Sequence, residues 1–144
     1  MNKVFKHVVC PLLAGGFIYI LFRNIDAPIN KIILKSDFLS SYFFLVRDTV
    51  KIELPYWIVF GLPDGLYAYS FTSFLILYNE SYLKFISEFN LNKILIISFV
   101  LSSTEFLELF NIMSGTFDVI DVILFGSFPF ISYYFLIYKN KVTT

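Results

Sequence analysis

The chain has 144 residues, of which 58% are hydrophobic and only 15% charged, whereas roughly 25% of the residues of a soluble domain are charged. Its 11 basic and 11 acidic residues leave no net charge, which argues against a nucleic-acid partner. His7 and Cys10 are the only residues of their types. An intrachain disulfide is therefore excluded, and His-based zinc sites or His-dependent nucleophilic catalysis are disfavoured. Because the apolar residues form long blocks, we expect one all-α integral membrane domain over residues 1–144.

The first apolar block, residues 8–22, is short for a span, but Lys6 and Arg23 at its ends can reach the bilayer surfaces. We predict a retained membrane anchor rather than a cleaved signal peptide, because no convincing cleavage site follows it. Gly15 and Gly16 inside this block predict close approach by another helix.

A long connection, residues 24–55, follows the first span. Its apolar run, residues 38–46, is too short to cross a bilayer, so we predict an amphipathic helix lying in the membrane interface. Ser36 or Asp37 can cap its N-terminus. Two alternatives stay open at this point: a loop helix packed on the bundle, and a fifth span over residues 32–46.

Three further spans are predicted, at residues 56–78, 94–113 and 117–138, which gives a polytopic bundle of four transmembrane helices plus the interfacial one. The "LPDG" stretch at residues 62–65 interrupts the first of these with a proline, which predicts a kink. A short turn at residues 114–116 predicts that the last two spans form an antiparallel hairpin.

Four spans place both termini on one side of the membrane. That side carries the basic residues Lys3, Lys6, Lys84, Lys93, Lys139 and Lys141, and the other side carries Arg23, Lys31, Lys35, Arg47 and Lys51. The first set lies closer to the span ends, which favours cytoplasmic termini in a bacterial inner (cytoplasmic) membrane.

Five acidic residues fall inside the predicted spans: Asp64, Glu105, Glu108, Asp118 and Asp121. At about 1.5 Å per residue, Asp64 and Glu105 lie about 12 Å below the surface, Glu108 about 7 Å and Asp121 about 6 Å, all in the same leaflet. Glu105 and Glu108 share one helical face, as do Asp118 and Asp121. The spacing therefore predicts an acidic cleft near the outer face.

The four carboxylates of these two pairs cannot all be charged in so apolar a place unless a cation or a base compensates them. Some can stay protonated, a cation can sit among them, or a base can come from elsewhere; Arg47 and Lys51 on the long connection are on the correct side. The alternative is purely structural, in which Asp118 caps the last helix and Glu108 reaches water. Acids as deep as Glu105 and Asp121 are costly to insert and are therefore the stronger functional candidates.

The stretch "STEFLELF…GTFDVIDVILFG" resembles the VanZ-like family of small bacterial membrane proteins, in which a Glu near the end of one span is followed by a turn and a D-x-x-D motif. The resemblance implies that Glu105, Asp118 and Asp121 occupy the motif positions. It also implies a cell-envelope role, with some members linked to teicoplanin resistance, and it implies no established reaction.

The sequence thus favours a membrane protein whose acidic cleft binds a cationic or polar group, for example of an envelope lipid or a glycopeptide. One alternative is a subunit of a larger membrane complex, whose acids pair with bases of a partner. Another is a metal-dependent enzyme acting on a lipid or phosphate ester, for which Mg²⁺, Ca²⁺ or Mn²⁺ would suit carboxylate ligands. No cofactor is evident, and whether the protein is an enzyme stays open.

Overall fold

The computed structural model describes residues 2–50, 52–82, 89–110, 112 and 117–138, and every regular element within these ranges is helical. The helices are α1 (Cys10–Phe22), α2 (Pro28–Leu34), α3 (Asp37–Thr49), α4 (Tyr56–Val59), α5 (Gly61–Tyr82), α6 (Leu91–Leu109) and α7 (Val119–Tyr133). A π-helical turn, Phe5–Val9, leads into α1, and another, Tyr134–Tyr138, extends α7. The predicted all-α fold is confirmed.

Two helices in the described part of the chain are long and apolar enough to cross a membrane: Phe5–Phe22 with 18 residues and Val119–Tyr138 with 20. They coincide with the first and fourth predicted spans. Only 6% and 33% of the residues in these two apolar windows are buried in the protein.

The other two long helices, α5 with 22 residues and α6 with 19, are long enough but more polar. Lys93, Glu105 and Glu108 lie within α6, and α5 carries Asp64 together with several hydroxyl side chains. Their membrane crossing is therefore not established by length and hydropathy.

The four long helices pack side by side in the order α1, α5, α7, α6. Small residues allow α5 to pack closely on both of its neighbours, α7 and α1. A Cβ on Gly61 of α5 would come within 2.6 Å of Leu124 Cδ1 on α7. A Cβ on Gly15 of α1 would lie 3.2 Å from the carbonyl oxygen of Pro63 on α5, which confirms the close approach predicted for Gly15. The same prediction was wrong for Gly16, where a Cβ would have no atom within 4 Å.

The interior of this helix row is unusually polar. In the described part of the row, the buried polar side chains are Ser70, Thr72, Ser73, Ser98, Glu105, Asp121 and Ser132, and Asn30 of α2 is buried beside them. Ser73 Oγ and Ser132 Oγ, for example, form a hydrogen bond of 2.8 Å between α5 and α7. Large apolar side chains instead point outward, with Phe99 76% and Phe110 70% exposed. The protein is therefore more polar inside and more apolar outside than a water-soluble domain.

The connection between α1 and α4 contains two short helices. The predicted helix over residues 38–46 is confirmed as α3, and Ser36 is its N-cap because its Oγ accepts a hydrogen bond of 3.5 Å from the Leu39 amide. Its 13 residues extend about 20 Å, less than the thickness of a hydrocarbon core. Helix α2, which begins at Pro28, was not predicted.

The predicted interruption in the second span is present, but it falls at Phe60, between α4 and α5, rather than within residues 62–65. Pro63 is the third residue of α5, where its missing amide hydrogen leaves no helical bond unmade. In a continuous helix the proline ring would clash with the carbonyl of Val59, four residues earlier. The helix therefore ends at Val59 and a new one starts just before the proline.

Helices α6 and α7 pack antiparallel, as the predicted hairpin requires. Phe106 near the end of α6 contacts Phe117 just before α7, and Ser102, one turn earlier, donates a hydrogen bond of 3.3 Å to the Val122 carbonyl. The predicted turn itself, residues 114–116, and the last residue of the third predicted span, residue 113, lie outside the described residues.

Candidate functional site

One end of the helix row gathers the predicted acids. The N-terminal ends of α5 and α7 meet the C-terminal ends of α1 and α6 there, because α5 and α7 run parallel to each other and antiparallel to α1 and α6. Asp64 lies in the first turn of α5, Asp118 and Asp121 begin α7, and Glu105 lies in the last turns of α6. We call Asp64, Glu105, Asp118 and Asp121 the acidic cluster; the charge of Asp121 interacts with those of the other three.

Helix polarity gives part of the structural reason for this placement. The first turn of a helix has unpaired amide groups and a partial positive charge, which stabilises carboxylates. Asp64 and Asp121 both occupy such first turns. Glu105 does not, because it lies near the C-terminal end of α6, where a negative charge is disfavoured.

Asp64 has a basic partner that the sequence did not reveal. Arg23, the C-terminal cap of α1, places Nη2 3.2 Å from Asp64 Oδ2 and donates a hydrogen bond of 2.8 Å to the Phe60 carbonyl. The guanidinium carbon lies 4.9 Å from the centre of the Tyr19 ring and 5.1 Å from that of Phe60. These contacts fix the cation at the edge of the acidic cluster.

Arg47, one of the two predicted loop partners, binds elsewhere. Its Nη1 donates a hydrogen bond of 2.9 Å to the main-chain carbonyl of Arg23. The buried Asn30 side chain donates to the same carbonyl at 3.4 Å and to that of Asn24 at 2.9 Å. Arg47 and Asn30 thus hold the segment that carries Arg23, and neither pairs with an acid among the residues that the structure describes. Lys51, the other predicted partner, lies outside the described residues.

Two of the predicted acids, Glu105 and Asp121, are both buried where α6 and α7 meet their neighbours. Glu105 Oε2 accepts a hydrogen bond of 3.4 Å from the Asp118 amide, which ties α6 to the start of α7. Asp121 is 8% exposed, and its Oδ1 has no hydrogen-bond partner among the described residues. Neither carboxylate points out of the helix row, so the interfacial alternative does not describe them.

Asp118 and Glu108 behave differently from this pair. Asp118 is the N-cap of α7: its Oδ1 accepts a hydrogen bond of 2.8 Å from the Ile120 amide. Its Oδ2 accepts another of 3.0 Å from the exposed Tyr56 hydroxyl. Asp118 therefore has the capping role of the structural alternative. Glu108 is half-exposed at the rim, close enough to interact electrostatically with Asp64 and Glu105.

A pocket of about 200 Å³ opens beside Asp64, between α1, α2 and α5. Its lining residues are Leu12, Gly15, Gly16, Tyr19, Ile29, Pro63, Asp64 and Tyr67, so that within the described ranges its walls are apolar except for one carboxylate and two phenols. A Cβ on Gly16 would point into open space. The pocket thus leads from the outside of the helix row to Asp64.

The cluster has acceptor capacity that its described neighbours do not use. Among the described residues, Asp64 pairs with the Arg23 guanidinium, and Asp121 Oδ1 has no donor. In the part of the chain that the structure describes, no three Asp, Glu, His or Cys side chains converge closely enough to hold a metal ion.

No protein family matches the chain, and no curated protein or solved structure matches it either. The chemistry of the site therefore follows from its own geometry, and the VanZ-like relationship stays a prediction.

Proposed function

We propose that the protein is an integral protein of the bacterial inner membrane, with α1, α5, α6 and α7 all crossing the bilayer and the termini in the cytoplasm. The support is the inverted distribution of side chains, polar between the helices and apolar outside. Only an apolar solvent makes that distribution favourable. Helices α5 and α6 cross as part of the row because their polar faces are covered by α7.

The contacts of α1 favour a retained span over a cleaved leader. Gly15 fits against Pro63 of α5, and Arg23 at the end of α1 neutralises Asp64. Removal of α1 would leave Asp64 without its base. Helix α3, with Phe38 and Leu45 exposed on its surface, fits the interfacial position proposed for it.

The proposed activity is binding of a cationic or polar head group at the acidic cluster, near the outer face of the membrane. The observation that carries this proposal is the buried Asp121 carboxylate, whose Oδ1 has no donor within the described structure and which is electrostatically influenced by three more acids. A ligand N–H group would supply that donor. The apolar pocket beside Asp64 suits the apolar part of such a ligand, such as an envelope lipid or a glycopeptide.

The proposal can be tested with lipids that differ only in their donors. Phosphatidylethanolamine carries an ammonium with N–H groups, whereas phosphatidylcholine has none. Native mass spectrometry of the purified protein should show about 10-fold tighter binding of phosphatidylethanolamine, which corresponds to one charge-assisted hydrogen bond.

Three variants sharpen this test. Gly16→Leu extends a side chain into the pocket from a position where a Cβ meets no atom within 4 Å, and it should weaken the binding of both lipids. Asp121→Asn removes the negative charge and turns one carboxylate oxygen into a donor, and it should remove the preference for phosphatidylethanolamine. Asp26→Asn, an exposed acid on the connection, is the matched control and should keep it. Equal binding of the two lipids by the wild-type protein would contradict lipid-headgroup recognition. Teicoplanin, tested in the same assay, then distinguishes a glycopeptide ligand, and failure of both would sink the proposal.

A second candidate is a subunit of a membrane complex, which one observation favours. Helix α6 lies at the edge of the row, packs mainly on α7, and presents Phe99 and Phe110 outward. A partner helix on this face could bring a base to the half-exposed Glu108. Purification in mild detergent tests the idea: a stoichiometric partner supports it, and a monodisperse single chain contradicts it.

A further inference from the structure

A second cavity lies towards the opposite end of the helix row. It has a volume of about 340 Å³ and is open to the outside, within the size range of small-molecule sites. Its walls are Pro11, Leu66, Phe128, Ile131 and Phe135, and its polar residues are Lys6, His7 and Tyr69. We call it the basic groove; it does not involve the acidic cluster.

The polar residues of the groove form an ordered basic mouth. His7 Nδ1 and the Tyr69 hydroxyl are 2.6 Å apart, which ties the turn before α1 to α5. When the hydroxyl donates to Nδ1, the ring proton of His7 lies on Nε2, where it can donate to a ligand. The positive charges of Lys3 and Lys6 act at the same place. The mouth is thus suited to an anion, and Tyr69 orients one of its donors.

We propose that the basic groove binds an anionic phospholipid, with the phosphate at Lys6 and His7 and an acyl chain along Phe128, Ile131 and Phe135. The occupant follows from charge complementarity: a basic mouth at the end of an apolar, outward-open channel matches an amphiphile with an anionic head. The inference rests on the proposed membrane location but not on ligand binding at the acidic cluster. With the termini in the cytoplasm, the mouth faces the leaflet surface that attracts basic residues.

The test is native mass spectrometry of the full chain in mild detergent, with phosphatidylglycerol, phosphatidylcholine and diacylglycerol as probes. Wild-type protein should bind phosphatidylglycerol about 5-fold or more tightly than phosphatidylcholine, and Lys6→Gln should reduce this preference by about 5-fold. Lys93→Gln, which removes a positive charge at the same end but outside the groove, should leave it unchanged. Ile131→Trp, which fills the groove from an exposed position, should weaken phosphatidylglycerol binding at least 10-fold.

Three results would overturn the proposal. Equal affinity for the two phospholipids would show that the basic mouth does not recognise the head group. Equal losses of the phosphatidylglycerol preference in Lys6→Gln and Lys93→Gln would indicate non-specific electrostatic attraction. Displacement of the lipid by inorganic phosphate alone would indicate a phosphate site rather than a lipid groove. Far-UV circular dichroism of each variant identifies misfolding. If Ile131→Trp unfolds, Lys6→Gln still decides the test, because its side chain is exposed.

Discussion

Removal of Arg23 should destabilise the end of the helix row that holds the acidic cluster. The side chain makes an ion pair with Asp64, donates to the Phe60 carbonyl and stacks on two aromatic rings. Arg23→Gln would leave Asp64 without its base in a largely apolar setting. Arg23→Lys would keep the charge but lose the planar guanidinium that stacks on Tyr19 and Phe60.

The expected size of the effect follows from the geometry. Charge-assisted hydrogen bonds contribute about 1.5–3 kcal/mol each. The side chains of Arg23 and Asp64 are 23% and 30% exposed, so water screens part of that energy and the lower end applies. We therefore expect Arg23→Gln to reduce the free energy of unfolding by about 2–3 kcal/mol, of which about 1–1.5 kcal/mol is coupling to Asp64.

A double-mutant cycle of Arg23→Gln and Asp64→Asn measures this coupling. Unfolding in mixed sodium dodecyl sulfate and dodecylmaltoside micelles can be followed by far-UV circular dichroism. The exposed pair Lys31–Asp26, at 3.8 Å with side chains 61% and 76% exposed, is the matched control and should couple by less than about 0.5 kcal/mol. If Arg23 and Asp64 couple no more strongly than this control pair, the ion pair does not organise the site.

Three further outcomes are expected. Gly61→Ala should reduce the free energy of unfolding by about 1–3 kcal/mol in the same assay, because its Cβ would overlap α7. Gly126→Ala, whose Cβ would lie 3.7 Å from its nearest neighbour, should be neutral or slightly stabilising, and equal losses would refute the close-packing argument. Glu105→Gln should change unfolding by less than about 1 kcal/mol, because the amide oxygen can still accept from the backbone, yet reduce ligand binding at least 10-fold; loss of folding would mean that the carboxylate is structural. Lys31→Cys and Asp48→Cys should react with an impermeant thiol reagent from the same side of the membrane, and labelling from opposite sides would show that the connection crosses.

Much of the architecture could be predicted from apolar length and local capping. The blocks that became α1 and α7 are apolar enough to be identified without contacts, and Ser36 at the start of α3 is a side-chain cap with a local partner. The grouping of the acids at one end was also predictable. The helical rise and the alternating direction of consecutive spans fix the depth of each acid, whichever way the protein is inserted.

The remaining features depend on contacts between distant parts of the chain. Arg23 and Asp64 are 41 positions apart, and no local pattern indicates that a base at the end of one span meets an acid in another. Pro63 predicted an interruption but not its position. The break falls three residues earlier, at Phe60, because a proline is tolerated in the first turn of a new helix. Helix α2 is too short for periodicity to reveal it, although Pro28 at its first position was a usable sign.

The central claim is that four helices cross the membrane and carry the acidic cluster to its outer face. Single cysteines at Asn24 and Ile112, at the acidic end, and at Asn2 and Asn90, at the opposite end, test it in a Cys10→Ser background. In intact cells an impermeant maleimide should label the first two, and the last two should react only after permeabilisation. Labelling of both ends in intact cells, or of only Asn2 and Asn90, would contradict the proposed topology and the outward-facing site.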